Sequence, residues 1–354
     1  MNKKSVVSVS GFGWSGSGAV VDLLREYEDV DIVDSNGSDF ECTFLYNIYK
    51  LDLLLNQFNS RLSSSDAIKE FRENVYFESE KRGFEEVFNG KYKQFADEYL
   101  NSIVDFSLCG WTFRDIQYPL AHNRWKNRYN WLVDHFWGNR LTGKLALCRS
   151  IKKKMFLKVS HKMEVSYNPV NFDDITRRYI DRLLREVHPH PNNPLILDQG
   201  FPPDRPDMFF KYLDCPKCIV VRRDPRDIYL LAKCAISYMA VPLPISNVDD
   251  FIRFYKKVIK GSKVNDTENI LSINFEDLIF EYSKTVEKIE KFLGISKHMC
   301  PRTKFHPDVS VNNVNLKHRY KMYAKDINKI EIYLSDSLYP FEKYNIKRTD
   351  QAVF

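Results

Sequence analysis

Six small residues separate an apolar segment from an amphipathic one near the start of the chain, in VVSVSGFGWSGSGAVVDLL. They are Gly11, Gly13, Ser15, Gly16, Ser17 and Gly18. A glycine-rich turn from a strand into a helix leaves backbone N–H groups without acceptors, where the helix dipole also favours negative charge. Glycine admits a ligand closely and allows positive φ. The segment predicts a loop for a phosphate-like anion; the alternative is a tight turn without a ligand.

The spacing of this loop departs from that of known nucleotide loops. In the Walker pattern G-x-x-x-x-G-K-[ST], the second glycine falls on Gly16, but Ser17 stands at the lysine and Gly18 at the magnesium-binding hydroxyl. The dinucleotide pattern G-x-G-x-x-G also fits poorly, because no acidic residue clearly ends a second strand; Asp31 and Asp34 are the nearest. We therefore expect an anion that is handled without a metal-bound triphosphate.

A second stretch, CIVVRRDPRDIYLLAK, offers a cation at the end of an apolar strand. Arg223 stands at that end, and a guanidinium binds anions in a bidentate manner. Pro225 suits the first turn of a helix, where its missing N–H has no cost. For Arg226 and Asp227 we favour an Arg–Asp network that caps the helix.

With both stretches in place, the chain resembles the P-loop-related sulfotransferases that use 3′-phosphoadenosine 5′-phosphosulfate (PAPS). Their first loop reads roughly [KR]-[ST]-G-[TS]-[TSG], which is WSGSG at residues 14–18 here, and a later R-[DN]-P-[RK]-D segment matches RDPRD. Two further segments are similar to family signatures: INFEDL followed by IEKFLGI, and FHPDVSVNNVNL near the C-terminus. The order agrees from residue 6 to about 316, apart from the middle of the chain.

This resemblance implies a P-loop NTPase-like three-layer α/β fold with a central, mostly parallel sheet and a helical insertion. It implies an enzyme that moves the sulfuryl group of PAPS in line, without a metal, to a carbohydrate hydroxyl, closest in style to bacterial glycan and capsule sulfotransferases. The nucleotide-binding residues carried over, or offered as substitutes, are Gly13, Trp14, Ser15, Gly16, Ser17, Gly18, Arg223, Lys233, Ser310 and Asn313.

Two positions depart from the family pattern. Trp14 replaces the basic residue that neutralises charge on the leaving group, and Leu231 replaces the serine eight residues after the 3′-phosphate arginine. Lys233, two residues further on, offers a substitute cation. These departures leave open a degenerate nucleotide-binding protein of the same fold without activity. A P-loop-type kinase is a third hypothesis, which the absent Walker lysine and magnesium hydroxyl disfavour.

The general base stays open among several side chains. The family's K-x-H-x-P arrangement maps onto LDQGFPP, which puts Gly200 at the histidine and leaves Asp198 at a strand end. In glycan sulfotransferases the base follows the second strand, and Glu41 and Asp39 stand there in this chain. His122, His135 and His161 are candidates on the acceptor side. Helix capping or solvated loop charge is the ordinary explanation of each acid.

The elements that must position these residues alternate between strands and helices. We expect strands near 5–10, 194–199, 217–227 and 268–278, helical segments over 40–105 and 172–187, and a helix from 284 that ends at Gly294 as a left-handed C-cap. Strands separated by helices predict a mostly parallel sheet. We expect one domain over 1–354, with an aromatic-rich helical insertion at about 45–190 that holds four of the five tryptophans. These rings suit a sugar acceptor or an amphipathic layer.

Composition limits the class of protein. The chain has 354 residues, 44% hydrophobic and 28% charged, with a net charge of +6, and no apolar run reaches the roughly 18 residues of a membrane helix. No export signal is evident, and the seven cysteines are an odd number, so we expect reduced thiols and a cytoplasmic location. The lone pair Cys215 and Cys218 is a weak zinc signal, and we expect no metal and no nucleic-acid partner. The acceptor and the oligomeric state stay open.

Overall fold

The computed structural model describes residues 5–33, 43–110, 128–129, 131–133, 162–234, 243–262 and 264–346. The chain divides into two compact units. The first comprises Met1–Tyr46, Ser79–Tyr92 and Thr176–Phe354, and the second comprises Asn47–Glu78 and Lys93–Ile175. A single domain with an insertion over about 45–190 stays a prediction.

A five-stranded parallel sheet forms the centre of the first unit. Its order is β2-β5-β1-β6-β7, and every neighbouring pair runs parallel. The bounds are β1 Val6–Gly11, β2 Asp31–Ile32, β5 Leu195–Asp198, β6 Pro216–Arg222 and β7 Ile270–Asn274. Strands β3 and β4 belong to the second unit. The α/β class with a mostly parallel sheet is therefore confirmed.

The sheet forms because its strands bury apolar side chains on helices. Val7 and Val9 of β1 and Ile219 of β6 are fully buried. They share one core with Val20 of the first helix and Ile289 of a later one. Near-continuous apolar strands are typical of a parallel sheet covered by helices.

The serines of β1 are the polar exception in this core. The hydroxyls of Ser8 and Ser10 are 2.7 Å apart, and both residues are fully buried. Ser10 Oγ donates to the carbonyl of Phe201, and the Phe201 amide donates to Ser8 Oγ. Because buried hydroxyls need partners, these bonds fix the backbone after β5 against β1.

The strand order creates a switch point between β1 and β6. From β1 the chain passes to β2 on one side of the sheet, whereas from β6 it passes to β7 on the other. In open parallel sheets, ligands bind in the crevice at the carboxyl ends of such strands. The loop after β1 and the Arg223–Asp224 turn after β6 both lie at that edge.

The helices agree with the main sequence expectations except after β7, where residues 275–278, expected as the end of a strand, begin a helix. The helix predicted at 172–187 spans 172–186, Pro225 is the first residue of its helix, and Gly294 caps the preceding helix at φ 68°. The bounds are α1 Ser17–Leu24, α2 Thr43–Asp52, α3 Arg61–Lys81, α4 Phe84–Val87, α5 Tyr92–Ile103, α6 Phe172–Glu186, α7 Pro225–Cys234, α8 Val248–Phe254, α9 Phe275–Phe280, α10 Tyr282–Leu293, α11 Pro307–Ser310 and α12 Ala324–Tyr333.

The second unit has an antiparallel pair, β3 (Phe106–Cys109) with β4 (Lys162–Val165). Inside this unit the Arg72 guanidinium binds the carboxylates of Asp97 and Glu164, and the two cations Arg72 and Lys162 hold the pKa of Glu164 below its usual value despite its burial. In the described parts of both units, no helix combines the length and the apolar character that a bilayer crossing requires.

Candidate functional site

The loop after β1 has an unusual backbone. Gly13, Trp14 and Gly16 have φ of 79°, 55° and 88°. The left-handed region costs a non-glycine residue about 1–2 kcal/mol, so Trp14 must be held in it by its surroundings. Gly16 is the N-cap of α1 and has no side-chain cap.

The amides of this loop are available to a ligand. Ala19 N–H donates to the carbonyl of Gly16, and Gly11 N–H donates to Oε1 of Gln199. Among the described residues, the six backbone amides from Gly13 to Gly18 have no acceptor. Amides of this kind at a helix N-terminus form a site for an anion.

Two glycines allow the tight path of the loop. A Cβ at Gly11 would lie 2.0 Å from Ser15 Oγ, and a Cβ at Gly16 would lie 2.4 Å from the Phe275 ring. Gly18 has open space around its Cα, with nothing within 4 Å of an added Cβ. Gly16 is therefore required by its positive φ and by the Phe275 ring, a side chain at Gly11 would displace the Ser15 hydroxyl, and Gly18 lies at the open side of the loop.

Arg223 ties the end of β6 to this loop. Its Nη1 donates to the Trp14 carbonyl at 3.0 Å, and its Nη2 donates to the Asn313 carbonyl. Its guanidinium lies over the Phe275 ring, with Cζ 4.5 Å from the centroid. The residue is buried, and burial lowers its pKa even though Asp227, Glu276 and Asp224 oppose that shift.

Two buried donors at this edge have no acceptor. Ser15 Oγ and Arg223 Nε are inaccessible to solvent, and neither has a hydrogen-bond partner in the described part of the chain. An unpaired buried polar atom costs about 1–3 kcal/mol. Both atoms can donate, so a group rich in acceptor oxygens matches them.

Three buried carboxyl groups lie close enough to Arg223 to interact with its charge. Asp224, Asp227 and Glu276 are buried, beside the buried guanidiniums of Arg223 and Arg226. Burial, followed by repulsion from Asp224, raises the pKa of Asp227, while Arg223 opposes the shift. Burial raises the pKa of Glu276 to about 8, and again Arg223 opposes the shift. Two cations facing three carboxyls agree with one of the acids being protonated near neutral pH.

The Arg–Asp network predicted for Arg226 and Asp227 forms with a different acid: Asp224 accepts the Arg226 amide and its guanidinium at the start of α7, and Asp227 does not pair with Arg226. Arg226 donates to Asp224 Oδ1 and Oδ2 at 2.9 and 2.8 Å and also pairs with Glu331. Asp227 accepts the amides of Asn315 and Leu316 at 2.7 and 2.8 Å. These bonds attach the C-terminal segment to α7, and they occupy both side chains.

Three further candidates for nucleotide binding, Asn313, Ser310 and Lys233, have contacts of other kinds. Asn313 reaches Arg223 through its carbonyl, and Ser310 is the last residue of α11, where its amide donates to the His306 carbonyl. Lys233 Nζ donates to the Ile245 carbonyl at 2.7 Å and lies 6.0 Å from the centroid of the Tyr229 ring. Their roles at a nucleotide stay predictions.

Among the predicted acids, only Asp198 falls within the described residues. It ends β5 and pairs in register with Val9, two residues before the end of β1. Asp39 and Glu41 lie outside the described residues, as do His122, His135 and His161. So do three of the four tryptophans of the insertion; the fourth, Trp131, is exposed.

Gln199 is a site residue that sequence reasoning missed. It follows Asp198 with φ 52°, accepts the Gly11 amide at 3.0 Å, and donates from Nε2 to Ser17 Oγ at 2.6 Å. Its side chain thus spans the base of the loop. The signal available in the sequence was an amide side chain directly after a predicted strand, next to the candidate Asp198.

No protein-family model matches this chain, and no curated protein matches it. Cys215 is exposed directly before β6, and Cys218 is buried within the strand with its Sγ 3.9 Å from Ser10 Oγ. In the ranges that the structure describes, no group of three or more His, Cys, Asp or Glu side chains is arranged to hold a metal ion. The candidate site is therefore defined by three structural features: the loop amides of residues 13–18, Arg223, which binds the Trp14 and Asn313 carbonyls, and Asp198 at the end of the neighbouring strand β5.

Proposed function

We propose that this chain is a sulfotransferase that transfers the sulfuryl group of PAPS to a hydroxyl of a carbohydrate acceptor. The observation that carries the proposal is the run of six loop amides without acceptors, from Gly13 to Gly18, at the switch point of a parallel sheet. The finer fold assignment, a P-loop NTPase-like three-layer arrangement, belongs to the same proposal.

The donor character of the loop supports an anionic group without a metal. Ser15 Oγ and Arg223 Nε add two buried donors to the amides. The Walker lysine and the magnesium-binding hydroxyl are absent, since Ser17 and Gly18 stand at those positions. We assign the 5′-phosphosulfate end to the loop. Ser310 and Asn313 remain candidates for the nucleotide's other phosphate, whereas the Nζ of Lys233, the substitute cation that the sequence offered, already binds the Ile245 carbonyl.

The geometry changes the role that we assign to Arg223. Its two Nη atoms already bind carbonyls of the loop and of Asn313, and its ring contact is with Phe275. A guanidinium engaged in this way positions the loop first, and only Nε lacks an acceptor among the described residues. We therefore propose Arg223 as a positioning residue first, with Nε as the donor atom that it offers to the nucleotide.

The chemistry requires in-line displacement and a base. The acceptor oxygen forms a bond to sulfur as the bond from sulfur to the bridging phosphate oxygen breaks, and the hydroxyl proton passes to a carboxylate. Adenosine 3′,5′-bisphosphate leaves. Positioning and charge stabilisation supply most of such catalysis, and the base contributes about 10²- to 10⁴-fold. Glu41, Asp39 and Asp198 remain the candidates for it.

Calorimetry with adenosine 3′,5′-bisphosphate in EDTA tests the binding half of the proposal. We expect micromolar affinity, and a loss of about 10- to 100-fold in Ser15→Ala, because a hydrogen bond to a charged group contributes about 1.5–3 kcal/mol. Ser296→Ala, an exposed serine at the opposite edge of the sheet, is the matched control. Absence of bisphosphate binding to the wild-type chain would overturn the proposal.

Transfer of ³⁵S-sulfate from labelled PAPS to a panel of polysaccharides tests the enzymatic half. We expect transfer that is insensitive to EDTA, with single-turnover rates reduced by at least 10²-fold in one of Glu41→Gln, Asp39→Asn or Asp198→Asn. Phosphoryl transfer from ATP that depends on magnesium would instead support a kinase.

A degenerate nucleotide-binding protein is the second candidate. The engagement of Arg223 by two carbonyls, together with an uncharged Trp14 at the leaving-group position, favours it specifically. Tight bisphosphate binding with no transfer to any acceptor, in a protein that still holds PAPS intact, would identify this case.

A further inference from the structure

The side-chain amide of Gln199 connects the last residue of β1 to the first residue of α1. Oε1 accepts the Gly11 amide at 3.0 Å, and Nε2 donates to Ser17 Oγ at 2.6 Å. The same residue donates its backbone amide to the Val9 carbonyl at 2.9 Å. Gln199 is thus held to β1 by its backbone and to both ends of the loop by its side chain.

Only one orientation of this amide is chemically acceptable. A backbone N–H can donate but cannot accept, so the oxygen of the Gln199 side chain must face Gly11. The NH₂ group then faces Ser17, and Ser17 Oγ must accept from it. The proton of the Ser17 hydroxyl therefore points away from Gln199, and no acceptor for it occurs among the described residues.

We propose that Gln199 fixes the Ser17 hydroxyl as a donor toward the bound anion and so selects a group whose oxygens only accept. This inference rests on the proposed function, because it assigns the anion to the same loop. Together with the amides of residues 13–18, the oriented hydroxyl makes the loop a surface of donors. A fully ionised sulfonate or phosphate fits it, and a group that presents an O–H does not.

The backbone around Gln199 is built to hold this side chain in place. The Phe201 amide and carbonyl are bound to Ser8 and Ser10 in the core. Gly200 admits no side chain without displacement, because an added Cβ would lie 2.9 Å from Leu197 Cβ. The left-handed backbone of Gln199, at φ 52°, is thus fixed by bonds on both sides.

The decisive variant is Gln199→Glu, measured by calorimetry with two probes, adenosine 3′,5′-bisphosphate and inorganic pyrophosphate. An ionised carboxylate accepts from Gly11 and also from the Ser17 hydroxyl, so it captures the proton that the anion needs. We expect affinity to fall at least 10-fold relative to wild type at pH 8. The ratio of variant to wild-type Kd should move back toward one at pH 4, below the usual glutamate pKa of about 4.3, because a protonated glutamate again offers a donor to Ser17.

Companion variants separate this role from a merely structural one. Ser17→Ala should lose affinity by about 10- to 100-fold, and Ser17→Thr should restore most of it, because the hydroxyl returns. Gln199→Ala should lower affinity less in the Ser17→Ala background than in wild type, because its effect on the anion acts through the Ser17 hydroxyl. These variants, checked by their thermal unfolding, keep the test decisive if Gln199→Glu fails to fold.

The outcomes distinguish the two proposals. Pyrophosphate binding without bisphosphate binding overturns the proposed function, and the variants then still test Gln199 with pyrophosphate. Wild-type binding that Gln199→Glu leaves unchanged, or a loss with no dependence on pH, overturns the role of Gln199 alone. Binding of neither probe to the wild-type chain overturns both.

Discussion

Arg223 Nη1 and the carbonyl oxygen of Trp14 are 3.0 Å apart, and this bond joins the end of β6 to the loop after β1. It explains how a tryptophan keeps a left-handed backbone at φ 55°. The two strands flank the switch point of the sheet, so one side chain links the two segments that form the crevice.

Replacement of Arg223 tests this clamp through stability. Arg223→Met keeps the stem and removes the guanidinium, so three buried carboxyls lose a cation and two carbonyls lose a donor. Breaking a buried charge network by removing one partner costs about 3–5 kcal/mol. We expect a loss of this size in urea denaturation. Arg205→Met, in an exposed pair with Asp207, should change stability by less than about 1 kcal/mol; equal effects would contradict the clamp.

Two glycines of the loop should respond oppositely to alanine. Gly16→Ala forces a side chain into φ 88° and against Phe275 at 2.4 Å, so we expect a loss of stability above about 1 kcal/mol. Gly18→Ala meets no atom within 4 Å in a helical turn, so stability should stay equal or rise by up to about 1 kcal/mol. Thermal unfolding of both variants measures the difference. A Gly16→Ala variant as stable as wild type would contradict the requirement for glycine at this position.

Glu276 should make the protein less stable as the pH rises. Burial raises its pKa from the usual value of 4.5 to about 8, so the folded state binds a proton that the unfolded state releases. The folded state therefore gains most stability below pH 4.5, and this contribution is lost as the pH rises toward 8. Asp227, whose pKa is also raised, acts in the same direction.

Glu276→Gln isolates that contribution. The amide oxygen still accepts the Asp224 amide, which Glu276 Oε1 accepts at 2.9 Å, and the side chain no longer titrates. We expect the free energy of unfolding, measured in urea from pH 5 to pH 8, to fall less steeply than in wild type. The exposed Glu268→Gln is the control and should keep the wild-type slope. An unchanged slope in Glu276→Gln would contradict the assignment.

Lys233→Met tests whether this lysine acts on a nucleotide or only on the fold. Because its Nζ donates to the Ile245 carbonyl, we expect bisphosphate affinity to change less than twofold, with a loss of stability of about 1 kcal/mol. A loss of affinity above 10-fold would instead support Lys233 as the substitute cation that the sequence suggested.

The sequence was informative where local chemistry decides the structure. Apolar runs indicated β1, β5, β6 and β7, because the buried strands of a parallel sheet are apolar along their length. Pro225 and Gly294 marked the start of one helix and the end of another, because the steric preferences of proline and glycine decide such positions. Strand β2 was missed because it has only two residues, Asp31 and Ile32, and its pairing with β5 is not visible in local pattern.

The sequence predicted the glycine-rich loop of the site, but it did not predict which residues contact that loop. Glycine spacing indicated an anion site, but spacing does not reveal that Arg223 binds carbonyls or that Phe275 packs on Gly16. Gln199 was missed because its role depends on the register between β5 and β1. Contacts between segments nearly 200 residues apart arise from sheet order, which local pattern does not encode.

The bond from Arg223 Nη1 is made to the backbone carbonyl of Trp14, an atom that every residue type at position 14 would supply. The backbone path of the loop therefore does not depend on which unbranched side chain occupies position 14. A different side chain there would change the chemistry of the loop and keep its backbone conformation. If the proposed transfer is correct, Trp14→Lys would place a cation beside the leaving group on an unchanged backbone, so that a single substitution at position 14 could alter the rate without altering the fold.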